Sequence, residues 1–277
     1  LVRSGALSGD DAYLVARYEY TPGFEDIDAV SFGGQAHYWL ADLLKIGLTS
    51  NTNEQNGDDS ELNAVDLTLK LGPDTWLKLQ QGRSEGLVSL PVQSSDGGFE
   101  FDSMSPSSFV NAKADATRAD LSFRLRDFIG THDGRLTLYT QEVDAGYSAP
   151  GMAALTDTTN QGGTLSIPVG DRFSFGAKID KREQEAGIET EAQEFNVGYR
   201  FGENWDVSVG YRMDERVDNT VLVPLTQNEG RREDGVVQLS YDSNADWNIY
   251  SYVQDTLSAS GSRQENARTG FGGTYQV

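Results

Sequence analysis

Apolar and polar residues alternate along most of this chain. From Glu194 to Asp214, Phe195, Val197, Tyr199 and Phe201 alternate with Glu194, Asn196, Gly198 and Arg200. Gly202-Glu203-Asn204 then turns the chain, and Trp205, Val207, Val209, Tyr211 and Met213 alternate with Asp206, Ser208, Gly210 and Arg212. Period two held on both sides of a tight turn predicts an antiparallel hairpin with one oily face and one wet face.

The same alternation predicts strands over Asp11 to Tyr20, Val30 to Leu40, Leu44 to Thr49, Val65 to Leu71 and Leu77 to Leu79. It returns around Ala119 to Leu125, Leu136 to Gln141, Leu165 to Val169, Phe173 to Ile179, Val237 to Tyr241, Trp247 to Val253 and Phe271 to Val277. With the two arms of the first hairpin this makes about fourteen strands. Turn chemistry such as Gly72-Pro73-Asp74 and Gly170-Asp171 marks the short connections. Short turns and longer, more acidic loops follow one another strictly, which predicts an up-and-down meander with all tight turns at one end. The longest irregular stretch is 83–116, and residues 1–10 carry no pattern. Lys181 to Ala192, reading KREQEAGIETEA, suits either a helix or charged strand ends.

Composition alters this picture in four ways. The mean hydropathy of -0.50 describes a hydrophilic chain, yet a sheet with one apolar face averages to such a value because half of its strand residues are polar. No run of roughly 18 apolar residues is present, so no transmembrane helix is expected. The absence of cysteine excludes disulfides, thiolate metal sites and a cysteine nucleophile. A formal net charge of -21 argues against nucleic acid as a partner and favours divalent or organic cations around the acidic loops.

All four tryptophans, Trp39, Trp76, Trp205 and Trp247, lie beside short turns. Amphipathic rings collected at one level are what a membrane interface selects. A soluble fold would have to cover the oily face with a second sheet or with helices carrying an apolar stripe, and no segment reads as such a helix. A closed barrel facing lipid satisfies the pattern without either, and leaves no open sheet edge.

The hairpins YRFGENWDVSVGYR, LTLKLGPDTWLKL and LSYDSNADWNIY, with aromatics beside tight polar turns, resemble those of Gram-negative outer-membrane β-barrels. In strand number and length the chain is similar to the monomeric fourteen-stranded porins. The resemblance implies a single transmembrane antiparallel barrel over 1–277, located in the outer membrane among lipid and lipopolysaccharide. It departs at the end, where such barrels usually finish on Phe or Trp and this chain finishes on Tyr275-Gln276-Val277.

With the oily face outward, the other parity lines the lumen. The charged residues on it are Arg17, Glu19, Lys45, Asp66, Lys70, Lys78, Arg118, Asp120, Arg124, Arg126, Arg172, Lys178, Asp180, Glu194, Arg200, Asp206, Arg212 and Arg268. Arg118, Arg124 and Arg126 form the densest basic row. A constriction is expected where they meet Glu85, Asp96, Glu100 and Asp102 of the 83–116 loop folded inward. The bland alternative is that opposite charges simply pair to fill a barrel interior.

No D-x-D-x-D-G spacing marks a calcium site, and no G-x-S-x-G, H-E-x-x-H or phosphate loop occurs. The two histidines, His37 and His132, are not set beside a nucleophile by any motif. The expectation is therefore a passive outer-membrane channel for small hydrophilic solutes or ions, with no cofactor, no metal and no catalytic step. The alternative is a structural barrel that anchors or docks a larger envelope assembly, or a segment of a larger barrel.

Overall fold

A computed structural model describes residues 29–55, 60–86, 92–93, 102–103, 112–130, 133–149, 152–185, 187–219, 229–243 and 246–275. Thirteen strands form one sheet in strict sequence order, every neighbouring pair antiparallel. They are β1 (Ala29–Ala41), β2 (Leu44–Gln55), β3 (Ser60–Lys70), β4 (Trp76–Gly86) and β5 (Ala112–Arg124). Next come β6 (Arg135–Val143), β7 (Thr158–Val169), β8 (Phe173–Gln184) and β9 (Ile188–Phe201). The last four are β10 (Trp205–Asp218), β11 (Gly230–Asp242), β12 (Trp247–Ala259) and β13 (Arg268–Tyr275).

The fold class read from the alternation is the one observed, an all-β up-and-down meander with short turns at one end. The strand expected over Asp11 to Tyr20 lies outside the described residues, as does the residue pair that follows Tyr275. Among the described residues the sheet is not closed, and β1 and β13 are its two edges.

Register explains the two faces. Val197 of β9 lies opposite Val209 of β10, Val209 opposite Val237 of β11, and Val237 opposite Val253 of β12. The row continues backward through Phe175 of β8 to Ile167 of β7. Tyr38, Ile46, Leu67, Leu79 and Ala119 make the equivalent row across β1 to β5. These side chains stand out from the sheet, as Val209 does at 55 % exposure, whereas Asp214 on the opposite face of the same strand is 1 % exposed. The sheet is therefore curled with its polar face inside, which reverses the burial of a soluble protein.

The short turns are locked by side chains. Thr75 is almost wholly buried and accepts a hydrogen bond from the Arg124 backbone N–H at 3.0 Å, while the Ser122 hydroxyl donates to the Asp74 carbonyl at 3.0 Å. Asp127 accepts from the Asp74 N–H at 3.1 Å. Gly202, with φ +72°, supplies the left-handed residue that closes the β9–β10 turn, a conformation other residues adopt only at a cost.

At the outer surface beside these turns the rings of Phe173, Tyr199, Phe201, Trp205, Tyr241 and Trp247 touch in sequence. Their centroids are 4.8 to 6.4 Å apart across five strands. Trp205 and Trp247 stand in this outer row of rings. Trp39 and Trp76 do not join it. Trp39 shares the parity of His37 and pairs with Lys45, whose Nζ lies 6.0 Å from its ring centre. Trp76 shares the parity of Lys78 and pairs with Lys70. Nearness to a turn says how high a ring sits, not which face it occupies, and these two sit on the polar one.

The ambiguous Lys181 to Ala192 stretch resolves into charged strand ends, with β8 running to Gln184 and β9 starting at Ile188.

Candidate functional site

The inner face begins with a ladder of paired charges. Arg118 of β5 grips Asp120 through Nε and Nη2, both at 2.8 Å, and its guanidinium carbon lies 5.8 Å from the Tyr139 ring centre on β6. The Tyr139 hydroxyl donates to Asp180 of β8. Arg212 of β10 donates from Nη1 to Glu194 of β9 at 2.7 Å, and nearer the short turns Arg200 meets Asp206 at 3.5 Å. Lys45, Lys70, Lys78, Lys178 and Arg268 share this parity by register, with Lys78 opposite Asp120, Lys178 opposite Glu194 and Arg268 opposite Gln254. His37 approaches Asp66 at 3.6 Å on the same face.

The basic row expected on β5 is placed differently. β5 ends at Arg124, and residues 125–127 form a 3-10 turn that carries Arg126 out to the short-turn rim. Arg124 is held there by Asp74 and by Asp133, the latter at 3.2 Å from Nε. Arg118 is thus left as the member of the trio facing the interior. Arg172 lies in the 170–172 turn rather than on a strand. Glu85 belongs to β4 and pairs with Lys113 at 2.7 Å. It shares the parity of Leu79, so it projects from the outer face and not from an inward loop. Asp102 falls in a two-residue strand, Asp102–Ser103, that pairs with Val92–Gln93. Asp96, Glu100, Arg17 and Glu19 lie outside the described residues.

Two other connections do fold against the inner face. The first comprises the described residues 144–149 and 152–157. Its Tyr147 packs over Gly82 of β4, where a built Cβ would lie 2.6 Å from the phenol oxygen, and the Ser148 N–H donates to the Ser84 hydroxyl at 2.9 Å. Tyr147 and Ala154 close a small apolar cluster with Leu62, Ala114 and Val143, all inward-facing residues of β3, β5 and β6. Burial raises the Tyr147 phenol above its ordinary pKa.

The second is 260–267, between β12 and β13. Arg263 donates to Asp214 of β10 at 2.6 Å, with a second, shorter bond to the other carboxylate oxygen. Arg232 of β11 donates to Asp234 at 2.9 Å and to the Gln264 carbonyl at 3.4 Å. The Thr256 hydroxyl donates to Asp234 at 2.7 Å and accepts from the Asn266 N–H at 2.8 Å. The alternation leaves Arg232, Asp234 and Arg263 outside its strands and puts Asp214 at the end of one. One signal is present in the sequence, since Arg232, Asp234, Gln238 and Ser240 share one parity, interrupted by Val236 alone.

Below this second loop the inner face opens into a cavity of about 790 Å³. Its wall includes Lys178, Glu194, Arg212, Arg232, Asp234, Gln238, Tyr250, Tyr252, Asn266 and Arg268. Tyr250 and Tyr252 of β12 lie over Gly272 and Gly270 of β13, where a built Cβ would come within 2.6 Å of either phenol group. Their rings therefore lie along the wall. Among the described residues no group of three or more His, Asp or Glu is placed to hold a metal ion.

No family model matches the chain, and no curated protein matches it. Among solved structures it is similar to a loop-deletion mutant of OmpT, an outer membrane protein of Vibrio cholerae, with 12 % identity over 88 % of this chain and 89 % of that one, at a TM-score of 0.40. It is also similar to an outer membrane channel from Pseudomonas putida F1, with 12 % identity over 91 % of this chain and 97 % of that one, at a TM-score of 0.38.

Proposed function

We propose that this chain is a transmembrane barrel of a Gram-negative outer membrane and acts as a channel for small hydrophilic solutes or ions. The observation that carries the reading is the inversion of burial across the sheet, with Val209, Val237 and Val253 exposed while Asp214, Asp234 and Asp180 are enclosed. Valines in such a row are at low free energy only against hydrocarbon. Charges on the concave side are at low free energy only if they are paired or wet. About 25 cal/mol per Å² of apolar surface favours removing that outer band from water.

A barrel closed from these thirteen strands would enclose more space than side chains fill, since about eight already suffice for a solid interior. The 144–157 and 260–267 segments narrow that space without occupying all of it, because the 790 Å³ cavity persists beside the second one. Passage has no chemical step. Selectivity follows from the width left between these segments and from the placement of charge.

Recording from the refolded protein in a planar lipid bilayer tests this. Stepwise conductance is the expected result. A protein that inserts, as judged by protease protection in vesicles, yet passes no current is a plugged scaffold, and the channel reading then fails in favour of a structural barrel.

A further inference from the structure

We infer that the cavity beside the 260–267 segment is an anion subsite, taking the carboxylate or phosphate group of a small hydrophilic solute. The inference rests on the channel reading for the solute's route but not for its binding. The cavity wall carries four basic side chains, Lys178, Arg212, Arg232 and Arg268, against the carboxylates of Glu194 and Asp234. That local excess is opposite in sign to the chain as a whole, whose formal net charge is -21.

How the cations are engaged decides what they can still bind. Arg83 and Arg118 each spend the Nε and Nη2 edge of the guanidinium on both oxygens of a carboxylate, at 2.7 to 2.8 Å. Arg212 is held by one bond from Nη1 to Glu194, and the same Nε and Nη2 edge has no hydrogen-bond partner although it is shielded from solvent. Unpaired N–H groups of a charged donor are costly, and a rotation of the Arg212 side chain into the cavity it lines would give this planar fork an oxyanion as its acceptor. Lys178 and Arg268 form no ion pair among the described residues. Tyr250 and Tyr252 lie flat on the wall beside them. They offer ring faces and hydroxyls to the neutral body of a solute whose charged group meets the cations.

The test uses the full chain in detergent or nanodiscs. Calorimetric titrations with inorganic phosphate and with gluconate are paired with zero-current potentials across a bilayer in a KCl gradient. Saturable binding of at least one anion is expected, and the preferred one identifies the group recognised. Arg268→Gln and Lys178→Gln should each weaken it roughly three- to tenfold, the effect of one unit charge at close range in a partly wet site. Each should also move the zero-current potential toward cation preference. Lys113→Gln, on the outer face, should change neither.

A conducting protein that binds neither anion, and whose potential ignores both substitutions, overturns the subsite while leaving the channel intact. A non-conducting protein that binds an anion with this variant pattern supports the subsite and overturns the channel. Because Arg268 is exposed and lies on the edge strand β13, its substitution reads out binding without the risk to folding that Arg212→Gln carries.

Discussion

Arg263 reaches across 49 sequence positions to clasp both carboxylate oxygens of Asp214, and the two side chains are 5 % and 1 % exposed. This ion pair ties the 260–267 segment to the wall of β10. Arg232, 4.0 Å from Asp214, shares the same buried charge. Removing one partner of a buried pair leaves the other unpaired in a low-dielectric site, which costs about 3–5 kcal/mol. Asp214→Ala is expected to destabilise the protein by that order in urea unfolding from lipid vesicles. The replacement of both, Asp214→Ala with Arg263→Met, should recover much of the loss. A double variant no better than the single one would show that the pair contributes little.

The row from Ile167 to Val253 runs through Val209, and in the proposed barrel an arginine there meets hydrocarbon. Val209→Arg is expected to cost roughly 2–4 kcal/mol if that row lies near the bilayer midplane. The same change at Glu215, on the same face of β10 but toward the long loops, should cost little. Unfolding titrations of the two variants in one lipid compare the depths directly.

Gly261 has φ +67°, and a Cβ built on it would stand 2.7 Å from the Glu229 carbonyl oxygen. Both features oppose any side chain. Gly261→Ala is expected to destabilise by about 1–2 kcal/mol from the left-handed backbone alone, with further cost from the clash. The 260–267 segment should become cleavable by added protease while β12 and β13 stay protected.

Asp127 sits in the short-turn rim, outside the strands. A bond from the Thr75 hydroxyl holds its carboxyl below the ordinary value, with help from the Asp74 and Thr75 N–H groups and the Arg124 charge. Asp133 is lowered as well, chiefly by Arg124 and then by the Gly134 N–H. A carboxylate with a depressed folded-state pKa contributes its stabilisation above the unfolded value and loses it as pH falls through the folded one. The rim should therefore loosen only below roughly pH 4. Amide exchange at Asp74 and Thr75 is expected to accelerate there. In Asp127→Asn it should be already fast and less dependent on pH.

The strands were legible because period two survives wherever one face of the sheet is apolar and the other polar. All thirteen strands predicted within the described region are present there. Their long-loop ends were not legible. β4 continues seven residues past Leu79 to Gly86, and β5 begins at Ala112 rather than near Arg118. Beyond the apolar band the outer positions become Arg83, Glu85, Lys113 and Asp115, which pair with one another across the strands. The hydrogen-bond ladder continues while the apolar signal stops, so pattern alone reads these residues as loop. The error displaced Glu85 from its strand. It also hid the Arg232 and Asp234 end of β11, where the clasp with the 260–267 segment is built. Arg126 was misplaced for the opposite reason, because a polar alternation running into a tight turn looks like strand until the turn is placed, whereas Arg124 is the last residue of β5 and keeps the parity of Arg118.

Tyr252 over Gly270 and Tyr250 over Gly272 also act as a two-pin key for the pairing of β12 with β13. Backbone hydrogen bonds are indifferent to a slip of two residues, which preserves parity and leaves the same faces inside and outside. The pins are not indifferent. A slip by two in one direction sets a ring against Thr274, and in the other against Arg268, so only one alignment seats both tyrosines. An edge strand whose inward positions after Arg268 are Gly270, Gly272 and Thr274, otherwise free to slide, is thereby assigned a single alignment by the side chains of its neighbour.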